Sequence, residues 1–134
     1  MDDNGIPISA LLTSASVHDS QVAIPLAKIS SGRVVSLYEV MDAAYDADPI
    51  KAHSLSLNHI PIVDSNPRRG EKVTFDPAKS IRYNVRTSVE RAFSRLKSEF
   101  GAEMVRVKGA AKVFTHLMFG ILALAANQLL KLVR

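Results

Sequence analysis

The 134-residue chain contains no cysteine. That excludes a disulfide framework and any metal site held by thiolates. None of its four histidines forms a His-x3-His pair, so a histidine-based zinc site has no support either. No charged-then-apolar leader ending in a small-residue cleavage site opens the sequence, and export is not expected. Internal repeats and low-complexity tracts are missing, which excludes solenoid architectures. No recognisable module for reading a specific DNA sequence is present. Between Val113 and Leu130 there is no Lys, Arg, Asp or Glu. A stretch of that length raises the question of a membrane span. His116, Gly120, Asn127 and Gln128 within it, and the strongly charged body before it, favour a helix that packs inside a soluble domain.

What is present fits one domain with a real core: 47% of the residues are hydrophobic, and the length accommodates at most one unit of usual size. The net charge of +4 conceals two opposite halves. Residues 1–65 carry 3 Lys/Arg and 8 Asp/Glu, a net of −5; residues 66–134 carry 14 and 5, a net of +9. Acidic and basic halves on one chain suit a protein that handles metal ions and phosphates. Basic surfaces that bind nothing specific are also common, so charge alone decides little.

Periodicity and breakers give an alternation of strands and helices. Asn4-Gly5 signals a tight turn, after which Ile6–Thr13 reads as a strand. Asp19 and Ser20 are placed to cap a helix over Gln21–Ser30 that stops at Gly32. Leu37–Met41 reads as a buried strand ending on Asp42. Asp48-Pro49 opens a helix to about Leu57, with Asp48 as its cap. Ile60–Val63 is a short strand and Met104–Val107 a second candidate. Between them lie a basic loop containing Asn66, Arg68 and Arg69, and a helix from Asp76-Pro77 to Gly101. Ala110–Val133 is an apolar helix in which His116 reads as a satisfied, half-buried histidine. The pattern is that of an α/β sheet with acidic residues at the carboxyl ends of strands.

The helix ending at Gly101 carries the most informative feature. Tyr83, Arg86, Glu90 and Lys97 follow a Tyr-x2-Arg-x3-Glu-x6-Lys spacing. On one continuous helix they fall within an arc of about 60°. An apolar stripe of Val85, Val89, Ala92, Phe93, Leu96 and Phe100 is centred about 100° away on the same cylinder. One face would then pack on a core while its flank offers a carboxylate between two cations and a phenol. Arg91 and Arg95 point elsewhere and read as solvent charges. The plain alternative makes Arg86 and Glu90 an ordinary i,i+4 surface pair.

That spacing resembles the signature around the last acidic residue of insertion-sequence transposases with an Asp-Asp-Glu triad. Val40-Met41-Asp42-Ala43-Ala44-Tyr45-Asp46 is similar to the family's strand ending in Asp-x-Gly-Tyr-Asp, with Ala44 where glycine is usual. Gly5-Ile6-Pro7-Ile8 with Val17-His18-Asp19-Ser20, and Ile60–Val63 followed by Asn66, Arg68 and Arg69, resemble further stretches of the same family. The resemblance implies an incomplete ribonuclease H-like mixed sheet, strand order 3-2-1-4-5, with flanking helices and a long apolar C-terminal helix. It implies Asp42 and Glu90 as the second and third triad carboxylates, catalytic and binding Mg²⁺ (or Mn²⁺). Asp46 is held in reserve, and His18 and Asp19 are assigned to local structure. It further implies Tyr83, Arg86, Lys97, Arg68 and Arg69 as DNA contacts.

Such a domain needs a first aspartate on a first strand, ahead of Asn4-Gly5, and the sequence offers none; Asp2 and Asp3 are turn residues. The expectation is therefore the C-terminal part of a transposase catalytic domain that does not transpose DNA by itself. Its implied partners are DNA, a second copy or intact transposase, and a complementing upstream fragment, with no membrane. Its expected place is the cytoplasm, on the nucleoid. The competing expectation is a non-catalytic DNA-binding fragment that interferes with intact transposase.

Overall fold

The computed structural model describes residues 1–66 and 74–134. The chain divides into two compact units, one contiguous (Thr13–Arg86) and one split in sequence (Met1–Leu12 with Thr87–Arg134).

The contiguous unit is built on two parallel strands, β1 (Tyr38–Met41) and β2 (Ile60–Val63), in register Tyr38↔Ile60 to Met41↔Val63. Parallel neighbours need a crossover, which an α-helix here provides. Before the strands come a 3-10 turn, Asp19–Val22, and helix α1, Ala23–Ser31. The turn is capped by His18, whose Nδ1 accepts the Ser20 N–H at 3.2 Å, and not by Asp19 or Ser20 as expected. Pro25 is tolerated because it sits in the first turn of α1, where its missing N–H has no partner to lose.

The crossover helix α2 (Asp48–Ser56) begins with Pro49 in its first turn. Asp48 lies inside the helix and Ala47 is the cap, without a side-chain bond, so the predicted capping role of Asp48 does not hold. The helix ends in a Schellman arrangement. Asn58 turns left-handed at φ 60°, and the His59 N–H returns to the Ser54 carbonyl at 3.0 Å; asparagine tolerates that conformation better than most residues. The return aims His59 at β1. There His59 Nδ1 lies 2.8 Å from Glu39 Oε1, and the Ser54 hydroxyl donates to Glu39 Oε2. Ser54 and His59 are buried, as are the apolar Ile50 and Ile62. The half-buried Glu39 carboxylate thus ties α2 to the sheet, satisfying groups that would be costly to bury unpaired. Helix α3 (Pro77–Asn84) starts on Asp76, whose carboxylate accepts the Lys79 N–H at 2.8 Å. Its Arg82 guanidinium stacks 3.9 Å from the centre of the Tyr38 ring on β1.

The split unit pairs α4 (Thr87–Ser98) with α5 (Ala110–Val133). Ala92 and Leu96 of α4 and Gly120 and Leu124 of α5 are the buried residues of the two helices. The helices meet closely because Gly120 has no side chain: a Cβ there would stand 2.6 Å from the Phe100 carbonyl oxygen and 3.1 Å from Leu96 Cδ1. Gly101, at φ 78°, closes the end of α4, and its carbonyl lies 2.9 Å from His116 Nε2. His116 is accordingly the satisfied, half-buried histidine expected of it. Near the N-terminus, Asp2–Ile6 forms a turn around Gly5 at φ 76°, with the Gly5 N–H on the Asp2 carbonyl at 3.1 Å. Gln128 of α5 donates to the Asn4 carbonyl at 2.6 Å.

Five further expectations are corrected. Ile6–Thr13 and Met104–Val107 have no regular structure. A strand is defined by its neighbours, and among the described residues neither segment has one. The single helix from Pro77 to Gly101 is two helices, separated at Val85–Arg86, where N–H groups bond three residues back: Val85 to Arg82 at 3.2 Å and Arg86 to Tyr83 at 3.0 Å. Asn84, Val85, Thr87, Ser88 and Val89 explain the break, since β-branched and short polar residues hold a helix weakly. Arg95 is not a free solvent charge: it bonds Asn127 Oδ1 on α5 at 2.8 Å as well as Glu99 at 2.9 Å. Finally, α5 matches its predicted limits but is not enclosed. Gly120 and Leu124 are buried while Phe119, Leu122, Leu129, Leu130, Leu132 and Val133 are exposed. By length and mean hydropathy, 1.6 over its most apolar window, this helix is long and apolar enough to cross a membrane.

Candidate functional site

The candidate residues of the contiguous unit gather at the carboxyl ends of its two strands. Asp42 follows the last residue of β1 and caps the 3-10 turn Ala43–Tyr45, accepting the Ala44 N–H through Oδ1 at 2.9 Å. A turn that starts immediately after a strand fixes the aspartate backbone, so Oδ2 is held in the opening beyond the strand end. Arg86 Nη1 stands 3.7 Å from that oxygen, with both side chains partly exposed.

Tyr83, one turn before Arg86, adds a phenol. The Arg86 guanidinium is 5.7 Å from the Tyr83 ring centre, and Phe75 packs against the ring with centroids 5.0 Å apart at 44°. Burial raises the phenol pKa above its ordinary value; the Arg86 cation opposes this, and the Asp64 and Asp42 charges add to it. Tyr45 is raised for the same first reason, burial, followed by the nearby charges of Asp19 and Asp42. Arg86 and Tyr83 can donate hydrogen bonds to a phosphate, and the Asp42 carboxylate beside Arg86 can attract a cation. An open cavity of about 320 Å³ lined by Ala15–Asp19 and Ala44 adjoins the Asp42 turn.

Asp64 escaped the sequence reading. It follows β2 as Asp42 follows β1, and the two strands pair in parallel, so the signal was available: an acidic residue directly after a short apolar run. Asp46, the reserve candidate, is engaged structurally, accepting from Lys51 and from the Asn66 N–H at 2.9 Å. His18 holds its own turn, as assigned.

Glu90 and Lys97 belong to the split unit. They lie seven residues apart on α4, two turns along one face, and both are exposed. The proposed stripe therefore divides at the break after Asn84, with Tyr83 and Arg86 before and at it and Glu90 and Lys97 after it. Arg68 and Arg69 lie outside the described residues.

A divalent ion prefers oxygen donors, and Asp42, Asp64 and Glu90 are of that kind. Among the described residues, however, no three His, Cys, Asp or Glu side chains gather closely enough to hold a metal ion. The donors fit such an ion in kind.

No curated protein and no solved structure matches the chain significantly. A family model does, and it spans almost the whole sequence. It is that of the transposase DDE domain, a class that works with divalent metal ions and binds DNA, and it matches residues 1–126. The chain belongs to the transposase DDE domain family.

Proposed function

We propose that this chain is the C-terminal part of an insertion-sequence transposase, acting in metal-dependent DNA cleavage and strand transfer, and that it does not turn over alone. The observation that carries the reading is Asp42 at the end of β1, with Arg86 at its outer oxygen, in a chain of this family. Asp42 and Glu90 are two of the oxygen ligands, and the ion is Mg²⁺ or Mn²⁺. When bound, such an ion supplies the positive charge that activates the attacking oxygen and stabilises the leaving one at a phosphodiester.

The protein's own part is positional. Arg86 and Lys97 neutralise DNA phosphates, Arg86 with a fork able to grip two oxygens. Tyr83, a phenol protonated at neutral pH, donates to a phosphate or stacks beside a base. Arg68 and Arg69 add backbone contacts independent of sequence. The β1–α2–β2 unit is read as part of a ribonuclease H-like sheet, and the site of action as the cytoplasmic nucleoid.

The basic residues exposed on α4, Lys97 among them, support a second reading, a DNA-binding fragment that enters mixed assemblies with intact transposase. One set of assays separates the two. Cleavage of supercoiled DNA dependent on Mg²⁺ or Mn²⁺ and lost in both Asp42→Asn and Glu90→Gln would establish an active enzyme and refute the claim that the chain is inert alone. DNA binding untouched by Glu90→Gln, weakened by Lys97→Ala and by salt, and unaccompanied by cleavage supports the binding fragment. Absence of binding at low salt would refute both.

A further inference from the structure

Of the asparagines in the chain, at positions 4, 58, 66, 84 and 127, only Asn4 is followed by glycine. The backbone nitrogen of the next residue is the group able to attack an asparagine side chain from within the polypeptide. At Gly5 no side chain shields that nitrogen. Asn66 precedes a proline, which has no N–H, and Asn84 precedes the β-branched Val85. Asn58 precedes the buried His59, and Asn127 lies in α5 with its Oδ1 on Arg95 at 2.8 Å. Asn4 is exposed, and its carboxamide makes no hydrogen bond among the described residues. We infer that Asn4 is a self-modification site, where the Gly5 nitrogen displaces the side-chain amide, and that Gln128 sets the rate.

The reaction consumes only water. The Gly5 nitrogen gives its proton to solvent and bonds to Asn4 Cγ. The Cγ–Nδ2 bond then breaks, and Nδ2 takes up a proton and leaves as ammonia. A five-membered imide now joins the two residues, and water opens it at either carbonyl. Opening at Cγ gives aspartate. Opening at the main-chain carbonyl gives isoaspartate, in which the chain runs through Cγ. Either product adds a negative charge beside Asp2 and Asp3.

The surrounding bonds restrain the same backbone. Asp2 Oδ1 accepts the Asn4 N–H at 3.0 Å and the Ile6 N–H at 2.7 Å, and the Asp2 carbonyl accepts the Gly5 N–H at 3.1 Å. From α5, Gln128 Nε2 donates to the Asn4 carbonyl at 2.6 Å. Bringing the Gly5 nitrogen onto Asn4 Cγ rotates the peptide between the two residues. That rotation draws the Gly5 N–H off the Asp2 carbonyl and the Asn4 carbonyl off Gln128. Of these two restraints only Gln128 lies outside the turn, so it couples the reaction to the packing of α5. In isoaspartate the peptide carbonyl held by Gln128 no longer exists, and its oxygen belongs to a free carboxylate beside the chain. The modification thereby removes the backbone link between the N-terminal turn and α5, whether or not the protein cleaves DNA.

Incubation of the full chain in oxygen-18 water at mildly alkaline pH, followed by proteolysis and mass spectrometry, tests this. The peptide carrying Asn4 should lose ammonia and take up heavy oxygen, partly as isoaspartate, while those carrying Asn58, Asn84 and Asn127 stay intact. Asn4→Gln should abolish the change. Gln128→Met keeps the size of the side chain but donates no hydrogen bond. With helical circular dichroism retained, it should convert about fivefold faster than the parent, the factor that one lost hydrogen bond supplies. The parent unfolded in urea should also convert faster than the native chain, and this arm remains decisive if Gln128→Met does not fold. Native Asn4 still intact when the unfolded chain has fully converted overturns the inference. Equal conversion at the other asparagines overturns it too, as does a folded Gln128→Met variant that converts no faster than the parent.

Discussion

Adding one methyl group at Gly120 tests the packing of the split unit directly. The new Cβ would lie 2.6 Å from the Phe100 carbonyl oxygen, 3.1 Å from Leu96 Cδ1 and 3.6 Å from Phe100 Cβ. The first of these is backbone, held by the end of α4, so it cannot swing aside as a flexible side-chain tip would. Leu96 is 8% exposed and has little room to yield. Overpacking of this kind costs about 1–3 kcal/mol. Against it stands the better helix propensity of alanine, up to about 1 kcal/mol in a helix interior. The net expectation for Gly120→Ala is a loss of about 1–2 kcal/mol, or a melting temperature lower by about 5 °C. Gly32→Ala is the control. It has an ordinary backbone conformation and meets nothing closer than 3.7 Å, so it should be neutral or stabilise by up to about 1 kcal/mol. Urea and thermal unfolding followed by far-ultraviolet circular dichroism would measure both. If Gly120→Ala is as stable as the parent, the close approach of α4 and α5 described above is wrong.

Three further outcomes are expected. In the contiguous unit, His59→Ala leaves one oxygen of the Glu39 carboxylate without its partner and should destabilise by about 2–3 kcal/mol; an unchanged urea midpoint would show that the Ser54–Glu39–His59 chain contributes nothing. Arg95→Met should lower stability more than Glu99→Gln does, because the bond to Asn127 links two helices while the Glu99 pair is exposed and screened; the reverse order in thermal melts would refute this. Tyr45 and Tyr83 should ionise above their ordinary value of 10.0, burial being the main cause. Because the folded pKa values are raised, the associated stability is present below pH 10 and declines as pH rises through the folded values. Ultraviolet titration should show two late phenols, both moved down slightly by Asp42→Asn; the absence of any phenol ionising above 10.0 would contradict the structure.

Much of this architecture was legible in the sequence where local chemistry decides. Helix α5 runs from Ala110 to Val133 as read, because Gly109 and a sustained apolar pattern leave little alternative. Helix α3 starts where Asp76-Pro77 says it should. The strand ending on Asp42 and the strand Ile60–Val63 also fall in place, although the first begins at Tyr38 and is half-buried where a buried strand from Leu37 was expected, Leu37 being exposed. What failed depends on other parts of the chain. Ile6–Thr13 has strand composition but no neighbour to pair with among the described residues. Arg95 looked free because its partner Asn127 is 32 residues away. The break after Asn84 had a local cause in the run Asn84–Val89, but the regular spacing of the stripe masked it. Glu39 went unnoticed because its partners Ser54 and His59 come together only once α2 folds back on β1.

The bond from Gln128 to the Asn4 carbonyl joins groups 124 residues apart, and it bears on how the protein is made. Synthesis delivers Met1–Leu12 long before α5 exists, so those residues must wait until α5 has left the ribosome. The contiguous unit, Thr13–Arg86, faces no such delay and has all its contacts available earlier. The two units are thus expected to mature in a fixed temporal order, Thr13–Arg86 before the split unit. During that interval the apolar side chains of the later unit are unprotected, which makes them the natural targets for chaperones and for aggregation.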